Sequence, residues 1–137
     1  MKLLARSSVY ALVGLFFVHT VFAIQSFSEQ PTYQEVNPGG AVLLACGVNA
    51  KRGQCRWEKD GGPIGLHPGK YELAGDHEAG DCSLRILGAE LEYDDGVWQC
   101  QVTASSYKDK DSLISEGAQV VIRGKEKKRI FISLARE

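Results

Sequence analysis

Four cysteines are the residues of this chain whose chemistry depends most on their spacing: Cys46, Cys55, Cys82 and Cys100. A structural zinc site usually contains close pairs such as Cys-x2-Cys, whereas the shortest gap here is nine positions. Two disulfide bonds are the favoured chemistry if the chain is secreted, because an even number of cysteines then usually forms a disulfide framework. Three pairings are possible, and the spacing alone does not choose between them.

A cluster of acidic residues could supply oxygen ligands to calcium: Glu90, Glu92, Asp94 and Asp95. Asp94, however, falls where the chain must turn before an alternating run. Acidic side chains in such segments are more commonly solvated than bound to a metal. The sequence therefore predicts no metal ligand.

Catalytic chemistry has little support in the sequence. Residues 24–137 contain two histidines, His67 and His77, and both lie in turn-rich segments. No Gly-x-Ser-x-Gly, His-Glu-x-x-His or glycine-rich phosphate-binding motif is present. We therefore predict a protein that is not an enzyme, with no cofactor and no small-molecule substrate.

The first 23 residues have the plan of a secretory signal peptide. Lys2 and Arg6 precede a short apolar run, and small side chains near its end predict cleavage after Ala23. A membrane anchor is the alternative. The apolar run is interrupted by His19 and Thr20 and is short for a bilayer span, which favours cleavage.

Net charge divides the remaining chain into an acidic body and a basic end. Residues 24–123 contain 9 basic and 15 acidic residues, a net charge of −6, whereas residues 124–137 carry +3. An acidic body argues against nucleic-acid binding, which requires a basic surface. We predict one domain over residues 24–123 and a solvated basic tail over residues 124–137, whose charge would also suit an anionic partner.

Residues 24–123 show short runs of alternating apolar and polar residues, separated by turn residues. One such run, VWQCQVT (97–103), places Trp98 and Cys100 on one face and Gln99 and Gln101 on the other. This period of two predicts strands, and seven or more short strands predict an all-β, two-sheet antiparallel β-sandwich. The inward positions of these runs supply the predicted core residues: Trp57, Leu84, Ile86 and Trp98.

The order Cys46, Trp57, Cys100 is typical of an immunoglobulin domain, and DDGVWQC (94–100) fits the segment that leads into its sixth strand. Together with W-x-K-D (57–60) and EAGDCSLRI (78–86), these motifs give a closer resemblance. The chain resembles the first immunoglobulin domain of the nephrin and irregular-chiasm (Kirre/Roughest) adhesion receptors over about residues 25–123. The resemblance implies an immunoglobulin-like sandwich of the V or I type.

The immunoglobulin resemblance implies a bond between Cys46 and Cys100, on which Trp57 would pack. The second bond then joins Cys55 and Cys82, which both face inward by alternation. This second pair departs from the family, which usually has other residues there. Trp98 occupies the position of the usual corner tyrosine, and its indole can only donate a hydrogen bond, so the usual corner bond is not assumed.

The resemblance also implies recognition, because the first domain of that family binds a like domain on another cell through one sheet face. Outward positions on the corresponding strands give five partner-binding candidates: Arg56, Glu58, Gln99, Gln101 and Thr103. Ile64 and Leu66 are further candidates, because an edge strand with exposed aliphatic residues can become a contact site. For Ile64 and Leu66, the alternative is that they cover the end of the sandwich. For Gln99 and Gln101, the alternative is a solvated polar face.

We therefore predict an extracellular recognition module for cell–cell adhesion, whose partner is a copy of itself or a related immunoglobulin-superfamily receptor. Two alternatives remain open. The first is a secreted soluble protein that acts as a decoy or humoral recognition factor. The second is the N-terminal fragment of a longer membrane receptor at the cell surface. RIFISL (129–134) would not be the membrane span of such a receptor, because it is too short to cross a bilayer.

Overall fold

The computed structural model describes residues 23–124, so the predicted leader and basic tail lie outside the described residues apart from Ala23 and Gly124. Within this range the chain is built mainly from short strands. The strand bounds are β1 (Ser26–Glu29), β2 (Gln34–Val36), β3 (Val42–Leu44), β4 (Gly47–Asn49), β5 (Cys55–Lys59), β6 (Gly62–Ile64), β7 (Tyr71–Leu73), β8 (Leu84–Ile86), β9 (Gly96–Val102), β10 (Leu113–Ile114) and β11 (Ala118–Ile122).

Two layers of strands face each other. The first layer has the order β2-β11-β9-β5-β6, with β10 also pairing with β9. The second layer has the order β3-β8-β7 and is extended by the β1-β4 pair. The Cys82 amide donates to the Cys46 carbonyl at 2.8 Å, which joins this extension to the rest of the layer. The predicted all-β two-sheet sandwich is confirmed, although β2 and β11 run parallel to each other.

The core lies between the two layers and follows the alternation of the strands. All four predicted core residues are buried: Trp57, Leu84, Ile86 and Trp98. The Trp57 indole N–H donates to the Cys82 carbonyl at 2.8 Å, so this large ring is buried without an unsatisfied donor. The period of two in the sequence therefore places the core correctly.

Two disulfide bonds cross from one layer to the other. They join Cys46 to Cys100, with a Cα–Cα distance of 6.5 Å, and Cys55 to Cys82, with a Cα–Cα distance of 5.6 Å. These are the pairs named from the sequence. The second bond spans a sequence separation of 27, for which the chain-entropy model gives about 3–4 kcal/mol of stabilisation.

The connection between β5 and β6 is a tight two-residue hairpin. Asp60 and Gly61 have φ values of 51° and 81°, and Lys59 pairs with Gly62 on either side of them. Two central residues in the left-handed region match a type I′ hairpin, which the Asp-Gly sequence favours. This hairpin holds β6 as the edge strand of the first layer.

Three further features depart from regular alternation in long strands. The segment AVLLACGV (41–48) is divided into β3 and β4. Ser83 is buried, and its hydroxyl accepts the Cys46 backbone N–H at 3.1 Å. The connection before β9 contains a single helical turn, α1 (Leu91–Asp94). Over residues 23–124, no helix has the length and apolar character needed to cross a membrane.

Candidate recognition face

The outward side of the first layer carries most of the partner-binding candidates. Four adjoining strands, β5, β9, β10 and β11, turn every second residue away from the core. We give the name polar face to seven of these outward side chains: Arg56, Glu58, Val97, Gln99, Gln101, Ile114 and Gln119. Its members come from separate parts of the sequence and become neighbours through strand pairing.

Strand register arranges the centre of the polar face in two rows. In one row, Gln101 lies between Arg56 on β5 and Ile114 on β10. In the next row, Glu58 lies opposite Gln99. Arg56 and Glu58 are two residues apart on one strand face, so a cation and an anion stand about 7 Å apart along the strand.

The central side chains differ in whether the domain already uses them. The Gln99 amide donates to the Ser115 carbonyl at 3.0 Å, which fixes its orientation. Within residues 23–124, the side chains of Arg56, Glu58 and Gln101 have no hydrogen bond or ion pair. These three groups can therefore bind a partner without first breaking an internal bond.

A shallow groove of about 230 Å³ opens at the β10 end of the polar face. Arg56, Gln101, Leu113 and Ile114 are among the residues that line it. Ile114 is 64% exposed, so its aliphatic side chain is accessible to a partner. The groove therefore places apolar surface next to a charge and an amide, a composition typical of protein interfaces.

Three members of the polar face were not candidates from the sequence: Val97, Ile114 and Gln119. Alternation in GAQVVIR (117–123) could have placed Gln119 outward, since Ala118 and Val120 point inward. Ile114 had no comparable signal, because β10 has only two residues and is defined by its pairing with β9.

Three of the sequence candidates lie elsewhere. Ile64 pairs with Trp57 and therefore points inward, where it packs against the core. Leu66 is exposed but lies beyond β6, where it lines a separate groove of about 450 Å³. The Thr103 hydroxyl accepts the backbone N–H of Gln54 at 2.8 Å, and this bond ties β9 to the start of β5 at the end of the sheet. We therefore exclude these three residues from the polar face.

The acidic segment before β9 contains one buried carboxylate. Asp94 is fully buried and accepts hydrogen bonds from the Tyr71 hydroxyl at 2.5 Å, the Lys70 ammonium at 2.6 Å and the Glu90 amide at 2.7 Å. The interpretation of the cluster as solvated acids is therefore wrong for Asp94. Burial, and then the hydrogen bond to Asp94, raise the pKa of Tyr71. No group of three or more possible metal ligands is found in residues 23–124.

Trp98 makes a corner hydrogen bond of its own. Its indole N–H donates to the Asp94 carbonyl, four residues earlier, at 2.9 Å. The Tyr71 ring lies against it, with 5.6 Å between the ring centroids and 56° between the planes. A tryptophan at this position therefore still ties the start of β9 to the preceding turn through backbone.

The sandwich, the disulfide between its layers and the buried Trp57 beside that disulfide define the immunoglobulin class of domain. The chain belongs to the immunoglobulin I-set family, whose model, described as "Immunoglobulin I-set domain", matches residues 25–115. The predicted membership of the immunoglobulin superfamily is therefore confirmed.

Named relatives agree with the resemblance seen in the sequence. Kin of IRRE-like protein 3 of Homo sapiens is 34% identical over 98 residues, which is 67% of this chain and 12% of that protein. Nephrin of Mus musculus is 40% identical over 85 residues, 58% of this chain and 6% of that protein. The chain thus spans only about an eighth of the Kin of IRRE-like protein's length.

A solved structure has the same fold at similar identity. The crystal structure of Duf (Kirre) D1 matches with a TM-score of 0.64 and 32% identity, covering 72% of this chain and 95% of that chain. The described domain of this chain is therefore similar to one whole domain of Kirre.

Proposed function

We propose that this chain is an extracellular recognition module for cell–cell adhesion, and that its polar face binds a like immunoglobulin domain. The observation that carries the proposal is Arg56 and Glu58 side by side on an outward sheet face, next to the Gln101 amide and without a partner among residues 23–124. The similarity to the D1 domain of Kirre supports it. The two disulfide bonds support an extracellular location, because such bonds persist in oxidising compartments.

A second copy of this chain is the partner whose charges fit the face. A two-fold axis that lies in the interface, across the strands and between the two rows, sets Arg56 of one copy against Glu58 of the other. Symmetry repeats this ion pair, and the same axis sets Gln101 against Gln99 of the other copy. Amides can both donate and accept, so this arrangement brings no like charges together.

The module acts by binding and needs no catalytic group, cofactor or metal ion. Its partner is a protein, either a second copy or a related immunoglobulin-superfamily receptor. A soluble decoy and the N-terminal part of a longer receptor would use the same face and would differ in what is attached to the domain.

Charge reversal tests both the face and the two-fold arrangement. Sedimentation velocity on the oxidised mature chain (residues 24–137) should show a reversible dimer. Arg56→Glu alone and Glu58→Arg alone should each weaken self-association by at least about tenfold, because two attractive pairs become repulsive. A mixture of the two variants should dimerise again, since every cation then meets an anion. Arg85→Glu is the matched control for Arg56→Glu, because it makes the same change of two charge units at an exposed position on β8 in the second layer.

Each outcome of this experiment decides one part of the proposal. A mature chain that stays monomeric at all concentrations refutes self-recognition and leaves the related receptor as the partner. Dimers that persist in both single variants refute the polar face as the interface. Single variants that lose the dimer but do not recover it when mixed refute the two-fold arrangement and leave the face as the interface.

A further inference from the structure

Gln25 connects two loops at the end of the sandwich beside the polar face. Its side chain is only 2% exposed, although it lies two residues after the predicted cleavage site at Ala23. The Gln25 Oε1 atom accepts the amide N–H groups of Arg52 and Gly53, each at 2.8 Å. Since these residues belong to the β4–β5 connection, one end of the Gln25 amide holds that turn.

The other end of the Gln25 amide holds the loop over residues 103–112, which connects β9 to β10. Its Nε2 atom donates to the carbonyls of Thr103 and Asp111, both at 3.0 Å. The Asp111 carboxylate in turn accepts the amide of Ser105 at 2.9 Å and its hydroxyl at 2.5 Å. One buried nitrogen therefore closes the base of the loop, and the start of the loop is tied to the same point.

The turn and the loop are in direct contact. A Cβ atom at Gly53 would lie 1.8 Å from the Thr103 carbonyl oxygen, so no side chain fits between them. The same carbonyl accepts the Gln25 Nε2 atom, and the Gly53 amide donates to the Gln25 Oε1 atom. Gln25 thus bridges a junction that is already closely packed.

The closed loop leads directly into β10, which pairs with β9. β10 contains only Leu113 and Ile114, and Asp111 precedes it by two positions. Ile114 pairs with Gln101 and borders the 230 Å³ groove of the polar face. Loss of the Gln25 bonds would therefore act on the edge of the polar face and leave the core between the layers intact.

We propose that Gln25 is a positioning residue for the polar face, and that its side chain is a latch that holds the loop over residues 103–112 to the β4–β5 turn. Removing Ile24 and Gln25 deletes the five hydrogen bonds of Gln25, whereas β1 begins only at Ser26. The trimmed chain keeps its core and has a looser loop. The effect on binding rests on the proposed function, whereas the effect on the loop does not.

Amide hydrogen exchange tests the latch on oxidised chains that begin at Ile24 or at Ser26 and end at residue 137. The Ser105 amide reports on the loop, and the Cys82 amide, bonded to the Cys46 carbonyl, reports on the core. Exchange at Ser105 should accelerate at least about tenfold in the trimmed chain. Exchange at Cys82 should change less than about twofold.

The Gln25→Glu variant separates the two ends of the latch. A carboxylate still accepts the Gly53 amide, but it has no N–H for the Thr103 carbonyl and it brings a negative charge to Asp111. Exchange at Ser105 should therefore accelerate as in the trimmed chain, while exchange at Gly53 stays slow. If Gln25 only added to global stability, the substitution would accelerate hydrogen exchange at Ser105 and Gly53 together.

Gln34→Glu makes the same substitution at a side chain whose hydrogen bond is to the Thr32 hydroxyl, and it should leave Ser105 exchange unchanged. Unchanged Ser105 exchange in the trimmed chain, or an equal acceleration at Cys82, would overturn the latch. Sedimentation velocity should show self-association of the trimmed chain weakened at least about threefold. If the untrimmed chain does not self-associate, self-recognition fails, and the exchange data alone decide the latch.

Discussion

Replacing Asp94 with asparagine removes the one fully buried charge in the described part of the chain. The Asp94 side chain is 0% exposed and accepts hydrogen bonds from the Lys70 ammonium, the Tyr71 hydroxyl and the Glu90 amide. Asparagine is nearly the same size, but one carboxylate oxygen becomes an N–H donor that faces other donors. The Asp94→Asn variant therefore tests the electrostatics of the cluster with little change in packing.

The size of the expected stability loss follows from the solvent exposure of the groups that bind Asp94. Breaking a fully buried ion pair costs about 3–5 kcal/mol, because the remaining charge has no compensation. The Lys70 side chain is 23% exposed, so its ammonium can recover some hydration, and asparagine keeps one acceptor. We therefore expect Asp94→Asn to lower the free energy of unfolding by about 2–4 kcal/mol. The total free energy of unfolding of such a domain is about 5–15 kcal/mol.

Urea unfolding measures this loss as a lower midpoint with an unchanged slope. Glu92→Gln is the matched control, because it neutralises an exposed acid in the same helical turn and should change stability by less than about 0.5 kcal/mol. Tyr71→Phe should cost about 1–2 kcal/mol alone and less in the Asp94→Asn background, since the two groups share a hydrogen bond. A loss below about 1 kcal/mol for Asp94→Asn would refute the reasoning.

Two further predictions concern the second disulfide and a carboxylate at the loop base. Replacing Cys55 and Cys82 together with serine should lower the free energy of unfolding by about 3–4 kcal/mol, measured by urea unfolding; a loss within error would show that this bond does not restrict the unfolded chain. Hydrogen bonds from Ser105 hold the pKa of Asp111 in the folded chain below its ordinary 3.8. The ionised carboxylate therefore contributes to the free energy of unfolding above pH 3.8, and this contribution is lost as the pH falls through the pKa of the folded chain. The difference in urea midpoint between wild type and Asp111→Asn should therefore shrink from about pH 6 to about pH 2.5, and a constant difference would contradict the assignment.

Alternation alone identified most of the sandwich. A strand residue faces either the core or the solvent with a period of two, so the pattern around Cys100 and Trp57 predicted both their burial and the outward direction of Gln99 and Gln101. The Asp60-Gly61 hairpin also has a local signal, because Asp-Gly strongly favours a type I′ turn.

Other features have no local signature. Ile64 was a contact candidate, but its pairing with Trp57 turns it inward. Alternation within one strand does not specify which face is inward, because that depends on the register with the neighbouring strand. Asp94 is acidic and sits between exposed acids, so its burial depends on Lys70 and Tyr71 arriving from another strand. Gln25 is one polar residue near the expected N-terminus, and its partners lie 27 to 86 positions away.

The sequence by itself determined the fold class, the core and the immunoglobulin resemblance, because these depend on the period of the strands and on the order of the cysteines and Trp57. Only the tertiary structure decided which side chains share the polar face, which carboxylate is buried and what the N-terminal residues hold. The physical reason is that strand periodicity is a local property of the chain. Cross-strand register and buried polar partners are contacts between distant segments, which exist only once both layers have packed.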